Sequence, residues 1–161
     1  MRKYKVGLLV GRFQPFHKGH LHLIEKSLNL VDMLVVGIGS VGVIDTDNFL
    51  TYDERKRILD AVIKNEGWSE RIKKIVPLND YHNDKLWLEN SLKQSGEIDV
   101  VIGNNEWTNG IFERAGYPIL RLGYYKRYLY EGERIRKLMR EGKSWEERVP
   151  GYIVTLIKKA K

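Results

Sequence analysis

Two histidines three residues apart, His17 and His20, stand in the stretch GRFQPFHKGH, directly after a short apolar run. Gly19 lies between them, and because it has no Cβ it lets a backbone come close to a ligand. A helix-like pattern follows, and the first N–H groups of a helix attract anions. Both imidazoles could donate to the same phosphate oxygens, while Arg12 and Lys18 add positive charge. The stretch predicts a site that stabilises charge in a phosphoryl-transfer transition state.

Zinc sites and other nucleotide motifs explain this stretch less well. A zinc site would need His17, His20 and His22. The chain has no cysteine and no H-E-x-x-H spacing, and its fourth histidine, His82, is distant. The patterns G-x-G-x-x-G and G-x-x-x-x-G-K-[ST] are absent, although GIGSVG at 37–42 matches part of the first. We therefore name no metal-ligating residue from the sequence.

Apolar runs of buried-strand length alternate with helical patterns along the chain. Strands are predicted at 5–11, 33–40, 72–78, 98–104 and 117–123. Helices are predicted at 20–30, 51–67, 85–94, 106–115, 132–142 and 144–161. This alternation predicts an α/β, Rossmann-like fold with a parallel five-stranded sheet and helices on both faces. We interpret 1–161 as a single domain whose C-terminal segment, about 132–161, is helical.

Capping signals support two of these helices. Thr51 and Glu54 have the spacing of a capping box, and Gly67 would end that helix. Ser144 and Glu147 have the same spacing near the C-terminus, although Pro150 could break the segment. In such sheets ligands bind beyond the carboxyl ends of the strands, where the connectivity reverses. The two-histidine stretch follows the first strand and is therefore expected at such a place.

Composition narrows the class of protein. The chain has 161 residues, of which 42% are apolar and 30% charged, as in a globular protein. The absence of cysteine fits a reducing cytoplasm, and no apolar run reaches membrane-spanning length. The net charge of +7 suits a partner with phosphates, but no RNP, KH or helix-turn-helix pattern indicates nucleic acid. We expect a cytoplasmic protein that binds small-molecule nucleotides, with no nucleic-acid or membrane partner.

The H-x-G-H motif within GRFQPFHKGH resembles the signature of the nucleotidyltransferase superfamily. The flanking residues are similar to the archaeal-type nicotinamide mononucleotide adenylyltransferases in particular. Further stretches occur in the family's order, namely GIGS, LTYDER, IVPLND ahead of LW, IGN, FERAGY and IRKLM. The resemblance covers nearly the whole chain. It implies the nucleotidyltransferase fold and suggests a homo-oligomer.

The resemblance also implies a reaction, in which the 5′-phosphate of nicotinamide mononucleotide attacks the α-phosphorus of ATP. NAD and pyrophosphate form, and Mg2+ is expected because the leaving group is strongly negative. The implied catalytic residues are His17, His20 and Arg136. The implied ATP-binding residues are Gly11, Arg12, Phe13, Lys18, Gly19, Gly103, Asn104, Arg134 and Ile135. The implied substrate-binding residues are Gly39, Ser40, Asp80, Asp84 and Trp87. Core packing is the alternative interpretation of the tryptophan, and we favour the substrate-binding one slightly.

The family's second motif is altered in this chain. It resembles S-G-T-x-I-R in the family, but here the stretch is EGERIR, with Glu131 and Glu133 in place of hydroxyl residues. Carboxylates facing a triphosphate would repel it by about 4 kcal/mol per unit-charge pair at 4 Å near a protein surface. Either they turn away, or they engage a metal, or the site works differently. Lys126 and Arg127 just before could supply replacement cations.

Two further departures concern the acceptor. The loop SVGVIDTDNF at 40–49 is apolar and acidic where the family has a polar, partly basic loop. Asp84 stands where the family usually has asparagine, which removes two hydrogen-bond donors. Two alternatives to the family reaction therefore stay open. One is transfer to another acceptor, such as flavin mononucleotide, phosphopantetheine, or a sugar or alcohol phosphate; the other is a non-catalytic nucleotide-binding homologue.

Overall fold

A computed structural model describes residues 2–160, and the two ends of the predicted domain, Met1 and Lys161, lie outside the described residues. The strands are β1 (Tyr4–Gly11), β2 (Val31–Val41), β3 (Ile72–Asn79), β4 (Val100–Ile102) and β5 (Ile119–Leu120). The helices are α1 (Lys18–Leu28), α2 (Tyr52–Glu66), α3 (Asp84–Ser95), α4 (Glu106–Arg114), α5 (Gly132–Arg140) and α6 (Val154–Lys159). Two 3-10 turns, Glu146–Arg148 and Gly151–Ile153, separate α5 from α6.

The strands form one parallel sheet in the order β3-β2-β1-β4-β5. The first three strands extend the sheet in one direction from β1, and β4 and β5 extend it in the other. The connectivity therefore reverses between β1 and β4, and their carboxyl ends border one crevice, the place where ligands bind in such sheets. The predicted parallel five-stranded sheet is confirmed, and the two-histidine stretch follows β1 at this crevice.

Helices cover both faces of the sheet, as predicted. Successive residues of a strand point to opposite faces, so Leu9 packs with α1, α2 and the C-terminal segments, whereas Leu8 packs with α3 and α4. On the first face Ile135, fully buried, anchors α5 to the core. Parallel strands buried on both faces need continuous apolar runs, which accounts for the predicted strands. Within residues 2–160, no helix combines the length and apolar character needed to cross a bilayer.

The α2 capping signals are confirmed, whereas those of the C-terminal segment are wrong. Thr51 and Glu54 form the predicted capping box, and Gly67 ends α2 in a left-handed conformation with a φ of 74°. The predicted helix at 144–161 is broken into two 3-10 turns and α6, and no side chain caps the first turn. Because Pro150 favours an extended residue before it, the chain leaves the helical conformation at Val149.

Trp87 belongs to the core formed by α3, α4 and the sheet. Its side chain is 3% exposed, and its ring meets those of Trp107 and Phe112 edge to face, at centroid distances of 5.2 Å and 5.7 Å. This packing leaves almost no ring surface on which a nicotinamide could stack. The structure therefore favours the core-packing interpretation over the substrate-binding one.

We expect Trp87→Ala to lower the free energy of unfolding by about 3–5 kcal/mol, because it opens a cavity between α3, α4 and the sheet. Trp107→Ala is the matched control, because that ring is 52% exposed and its removal opens no buried cavity. Urea unfolding of both variants measures the difference. Equal losses in the two variants would contradict the placement of Trp87 in the core.

Candidate functional site

Two cavities meet beyond the carboxyl ends of β1 and β4. The aromatic cavity is lined by residues that include Gly11, His22, Gly103, Asn104, Tyr124, Tyr125 and Tyr130. The cationic cavity is lined by residues that include Arg12, Phe13, Gln14, Glu133 and Arg136. The residues that line both cavities are His17, Gly132, His20, Arg127 and Glu131, and we call them the junction. A ligand with an aromatic end and a multiply charged anionic end matches this pair of cavities.

The two junction histidines cap α1 with their own side chains. The backbone N–H of Gly19 donates to Nδ1 of His17 at 3.1 Å, and the backbone N–H of His17 donates to Nδ1 of His20 at 3.1 Å. Since a backbone N–H can only donate, each Nδ1 must be unprotonated, and in the neutral ring the proton sits on Nε2. The Nε2 atoms make no hydrogen bond with any described residue. Both imidazoles therefore keep one N–H free for a ligand.

The position of Gly19 leaves no room for a side chain. A Cβ there would lie 2.8 Å from Cε1 of His17 and 3.2 Å from the carbonyl oxygen of Tyr130. The two imidazoles stack with centroids 3.7 Å apart, and the ring of Phe13 meets that of His20 edge-on at 4.8 Å. The glycine thus serves the close fit of His17 on its own backbone as well as any approach of a phosphate.

Burial keeps both histidines neutral. Burial, and next the charge of Arg136, lowers the pKa of His17 from 6.5 to about 3. Burial, followed by the neighbouring His17, holds the pKa of His20 well below 6.5. At pH 7 both rings are therefore neutral hydrogen-bond donors, and the fixed positive charge of the cationic cavity comes from its arginines.

Arg136 is held rigidly in the cationic cavity. One terminal nitrogen donates to the carbonyl oxygen of Gln14 at 2.9 Å, and its side chain is 7% exposed. The Nε of Arg136 is buried without a hydrogen bond and lies 3.7 Å from Asp47 Oδ1. Arg12 contacts the neighbouring Asn48 at 3.5 Å. The acidic loop predicted as a departure therefore places an amide and a carboxylate beside the two arginines of the cavity.

Two buried polar side chains, which the sequence did not single out, hold the turn in place. The amide of Gln14 both donates to and accepts from the backbone of Leu50, at 2.9 Å in each direction. Arg55 donates to the carbonyl oxygens of Arg12 at 2.9 Å and Gly39 at 2.6 Å. These bonds tie the ends of β1 and β2 to the start of α2. A long-range role of this kind leaves no mark on local spacing.

The carboxylate of Glu131 is neutralised by two arginines. Its Oε2 lies 2.8 Å from Nε of Arg127, and its Oε1 lies 3.3 Å from Nε of Arg134. Glu131 is the residue that precedes α5, yet its side chain makes no capping hydrogen bond. The first N–H groups of α5 therefore keep no side-chain partner among the described residues, and such groups attract anions. The repulsion expected from the altered second motif is reduced accordingly.

Tyrosines form one wall of the aromatic cavity, in a segment from which only the cations Lys126 and Arg127 were predicted to act. The segment YYKRYLY contributes Tyr124, Tyr125 and Tyr130, and Tyr125 stacks on His22 at a centroid distance of 3.9 Å. Asn104 lines the same cavity, but its amide is already bonded to the backbone of Gly123, at 2.8 Å and 2.9 Å. It shapes the loop that carries the tyrosines. The clustering of aromatic residues in this segment was the available sequence signal.

Eight predicted site residues line neither cavity, three from the predicted ATP-binding set and all five of the predicted substrate-binding set. The side chain of Ile135 is fully buried, and its N–H donates to the carbonyl oxygen of Glu131. Lys18 and Arg134 do not line either cavity. The remaining predicted residues outside the cavities are Gly39, Ser40, Asp80, Asp84 and Trp87. Ser40, near the carboxyl end of β2, donates to exposed Asp80, just beyond β3, at 3.2 Å, and exposed Asp84 begins α3.

The described residues include no group of three or more histidine, aspartate, glutamate or cysteine side chains that could hold a metal ion. The carboxylates that line the cationic cavity are those of Glu131 and Glu133, and the first is already bonded to two arginines.

The buried histidines make stability depend on pH. In the unfolded chain a histidine binds a proton near pH 6.5, but folded His17 does so only near pH 3. Between these values the unfolded state binds more protons, so the free energy of unfolding falls as the pH falls, by up to about 1.4 kcal/mol per pH unit and per histidine.

We expect His17→Asn to flatten this dependence, because asparagine can still accept from the N–H of Gly19 but does not titrate. Urea unfolding at pH 7 and pH 5 would show a smaller loss in the variant than in the wild-type chain. The same loss in both proteins would mean that His17 is not buried in its neutral form.

Known proteins match both the sequence and the fold. Residues 8–138 match the cytidylyltransferase-like family. The chain is 35% identical to the nicotinamide-nucleotide adenylyltransferase of Archaeoglobus fulgidus, over 92% of this chain and 88% of that protein. It is 33% identical to the nicotinamide-nucleotide adenylyltransferase of Thermoplasma acidophilum, over 97% of this chain and 87% of that protein.

A crystal structure shares the fold at low sequence identity. It is a bifunctional NMN adenylyltransferase/ADP ribose pyrophosphatase from Francisella tularensis, complexed with AMP and a manganese ion. The TM-score is 0.78 at 22% identity, over 97% of this chain and 49% of that one, so this chain spans about half its length. With the two-histidine turn in its cleft and these matches along its length, the chain belongs to the cytidylyltransferase-like family and, within it, to the archaeal nicotinamide-nucleotide adenylyltransferases.

Proposed function

We propose that this protein joins the AMP part of ATP to nicotinamide mononucleotide and releases pyrophosphate. The bond that forms links an oxygen of the acceptor's 5′-phosphate to the α-phosphorus of ATP. The bond that breaks links this phosphorus to the oxygen leading to the β-phosphate. The observation that carries the proposal is the junction, where two neutral imidazole donors lie between an aromatic and a cationic cavity.

The two cavities suit the two parts of ATP. Tyr124 and Tyr125 give the aromatic cavity the flat apolar surfaces on which an adenine can pack. Arg12 and Arg136 give the cationic cavity the charge that β- and γ-phosphates require. The α-phosphate, which links these parts, then lies at the junction beside His17.

At the junction the Nε2–H groups of His17 and His20 donate to the non-bridging oxygens of the reacting phosphate. These donors are held in place before the reaction, so they stabilise the developing charge without first having to reorganise. Because their pKa values are lowered, the rings neither take a proton from the acceptor nor give one to pyrophosphate at neutral pH. The protein's part is to position the phosphates and to stabilise their charge, as in other phosphoryl transfers.

Mg2+ enters as the ion of the Mg·ATP substrate. When bound to the phosphates it neutralises charge on the leaving pyrophosphate. The chain contributes cations around the phosphates, with Arg136 at the buried end of the cavity.

The acceptor fits the acidic end of the neighbouring strands. Asp80 and Asp84 are exposed beyond β3, and the ring of nicotinamide mononucleotide carries a positive charge that two carboxylates attract. Ser40, bonded to Asp80, lies on the same side. A cytoplasmic location and a homo-oligomeric state remain predictions from the sequence and the resemblance.

The direct test measures pyrophosphate release from ATP and Mg2+ with a panel of acceptors. Nicotinamide mononucleotide should support turnover and give NAD, identified by chromatography. Turnover only with flavin mononucleotide, phosphopantetheine, or a sugar or alcohol phosphate would overturn the acceptor assignment. Nucleotide binding with no turnover of any acceptor would overturn the enzymatic role.

The histidine donors give a second prediction. His20→Ala should lower kcat by about 10²–10³-fold, the usual loss when one such donor is removed. His20→Gln should retain more activity, because the glutamine amide can place an N–H near the position of Nε2. Steady-state kinetics with matched circular-dichroism spectra measure both variants. Equal activity of the wild-type and alanine proteins would contradict the role of His20.

A third prediction concerns the carboxylate of Asp47, in the loop beside the cationic cavity. Asp47 lies 3.7 Å from Nε of Arg136, so the γ-phosphate region has a competing negative charge. Asp47→Asn should lower the KM for ATP by a few-fold, in the range of a partly exposed charge interaction, with little change in kcat. Asp53→Asn, an exposed carboxylate in the first turn of α2, is the control. A raised KM for ATP in Asp47→Asn would instead assign this side chain to substrate or metal binding.

A further inference from the structure

Arg127 lies where the two cavities meet, and it lines both of them together with the histidine pair. Five residues line both cavities, and apart from the histidines only Arg127 and Glu131 among them carry titratable side chains. If adenosine occupies one cavity and the β- and γ-phosphates the other, this edge borders the α-phosphate. The position is therefore the one from which a cation could act on the reacting phosphorus.

Two neighbours orient the guanidinium of Arg127. Its Nε donates to Oε2 of Glu131 at 2.8 Å, and its central carbon lies 4.0 Å above the ring centre of Tyr124. These contacts use the Nε edge and one face of the plane. The two terminal nitrogens make no hydrogen bond with any described residue, and the side chain is 55% exposed. The part of the guanidinium that binds phosphate through two parallel hydrogen bonds is thus free and already oriented.

A glutamate at a phosphate-binding site, such as Glu131, is unusual unless its carboxylate pairs with a cationic side chain. A carboxylate beside the N-terminus of α5 would repel an approaching triphosphate. Both of its oxygens, however, face guanidinium groups, those of Arg127 and Arg134. The three side chains together carry one net positive charge. The carboxylate therefore acts on the ligand through the arginine that it holds.

The geometry points to Arg127 as a further catalytic residue that binds the α-phosphate of ATP, with Glu131 as its positioning residue. This inference rests on the proposed function. The Nε2–H groups of the two histidines and the fork of Arg127 then all donate to the reacting phosphate at the junction. Position 131 can carry a carboxylate because its charge is used to orient a cation.

The test measures kcat and the KM for ATP in single and double variants of the pair. Arg127→Ala should lower kcat by about 10²–10³-fold, as the loss of a preorganised transition-state donor does. Arg127→Lys should recover little of this, because an ammonium group cannot form two parallel bonds. Glu131→Gln should retain more activity than Glu131→Ala, because its amide oxygen still accepts from Nε. Glu131→Ala should reduce kcat by a smaller factor than Arg127→Ala.

The double variant separates positioning from an independent role. If Glu131 acts through the arginine, Arg127→Ala combined with Glu131→Ala should be no worse than Arg127→Ala alone. Losses that multiply would overturn the positioning role. An Arg127→Ala variant within threefold of wild type would overturn the inference as a whole. Arg121→Ala is the matched control, because this exposed arginine also pairs with a carboxylate, that of Glu106, but lines neither cavity.

A failure of the proposed function is distinguishable from a failure of this inference. If the wild-type protein releases no pyrophosphate with any acceptor, calorimetry of ATP binding replaces kinetics. Weaker ATP binding by the Arg127→Ala protein than by wild type would then still support a phosphate contact. Unchanged affinity would overturn it. The melting temperatures of all variants serve as the check on folding.

Discussion

The site depends on one local interaction, the capping of α1 by two imidazoles. His17 accepts from the N–H of Gly19 through Nδ1, and His20 accepts from the N–H of His17 in the same way. Each bond satisfies a donor that the helix start would otherwise leave open, and it also assigns the ring proton to Nε2. A single arrangement thus stabilises the helix and prepares two donors. A 180° flip of either imidazole ring would break its capping hydrogen bond.

The surrounding structure keeps this turn in place and keeps it neutral. Gln14 and Arg136 fix the backbone before the turn, through bonds to Leu50 and to the Gln14 carbonyl oxygen. Burial under the aromatic rings of Phe13 and neighbouring residues lowers the histidine pKa values. The cost is acid sensitivity, because the unfolded chain gains protons that the folded chain refuses. Fixed charge comes instead from arginines, whose guanidinium groups stay protonated even when buried.

The scaffold was largely predictable because its signals are local. Buried parallel strands need continuous apolar runs, and the capping box of Thr51 with Glu54 is written in adjacent residues. The same spacing at Ser144 predicted a capped α-helix wrongly, since only a 3-10 turn forms before the chain becomes extended at Val149, ahead of Pro150. Strands β4 and β5 are shorter than predicted, with parallel pairing between them at Val101–Ile119 and Ile102–Leu120.

The sequence predicted which residue types form the site, but it predicted less well which side chains form hydrogen bonds and ion pairs with each other. The motif indicated two histidines at a strand-to-helix turn, but not that both would be buried and neutral. The altered second motif suggested repulsion, because the pairing of Glu131 with Arg127 and Arg134 depends on where three side chains point. The roles of Gln14 and Arg55 depend on contacts between residues distant in sequence, which spacing alone does not reveal.

The central claim is that the site works through two neutral histidines with the proton on Nε2. Nitrogen NMR of the protein labelled at histidine, recorded from pH 8 to pH 5, tests this most directly. The account predicts that His17 and His20, assigned with single variants, keep the Nε2–H tautomer throughout and do not titrate near 6.5. A proton on Nδ1 at neutral pH, or titration of either ring near its ordinary pKa, would contradict it.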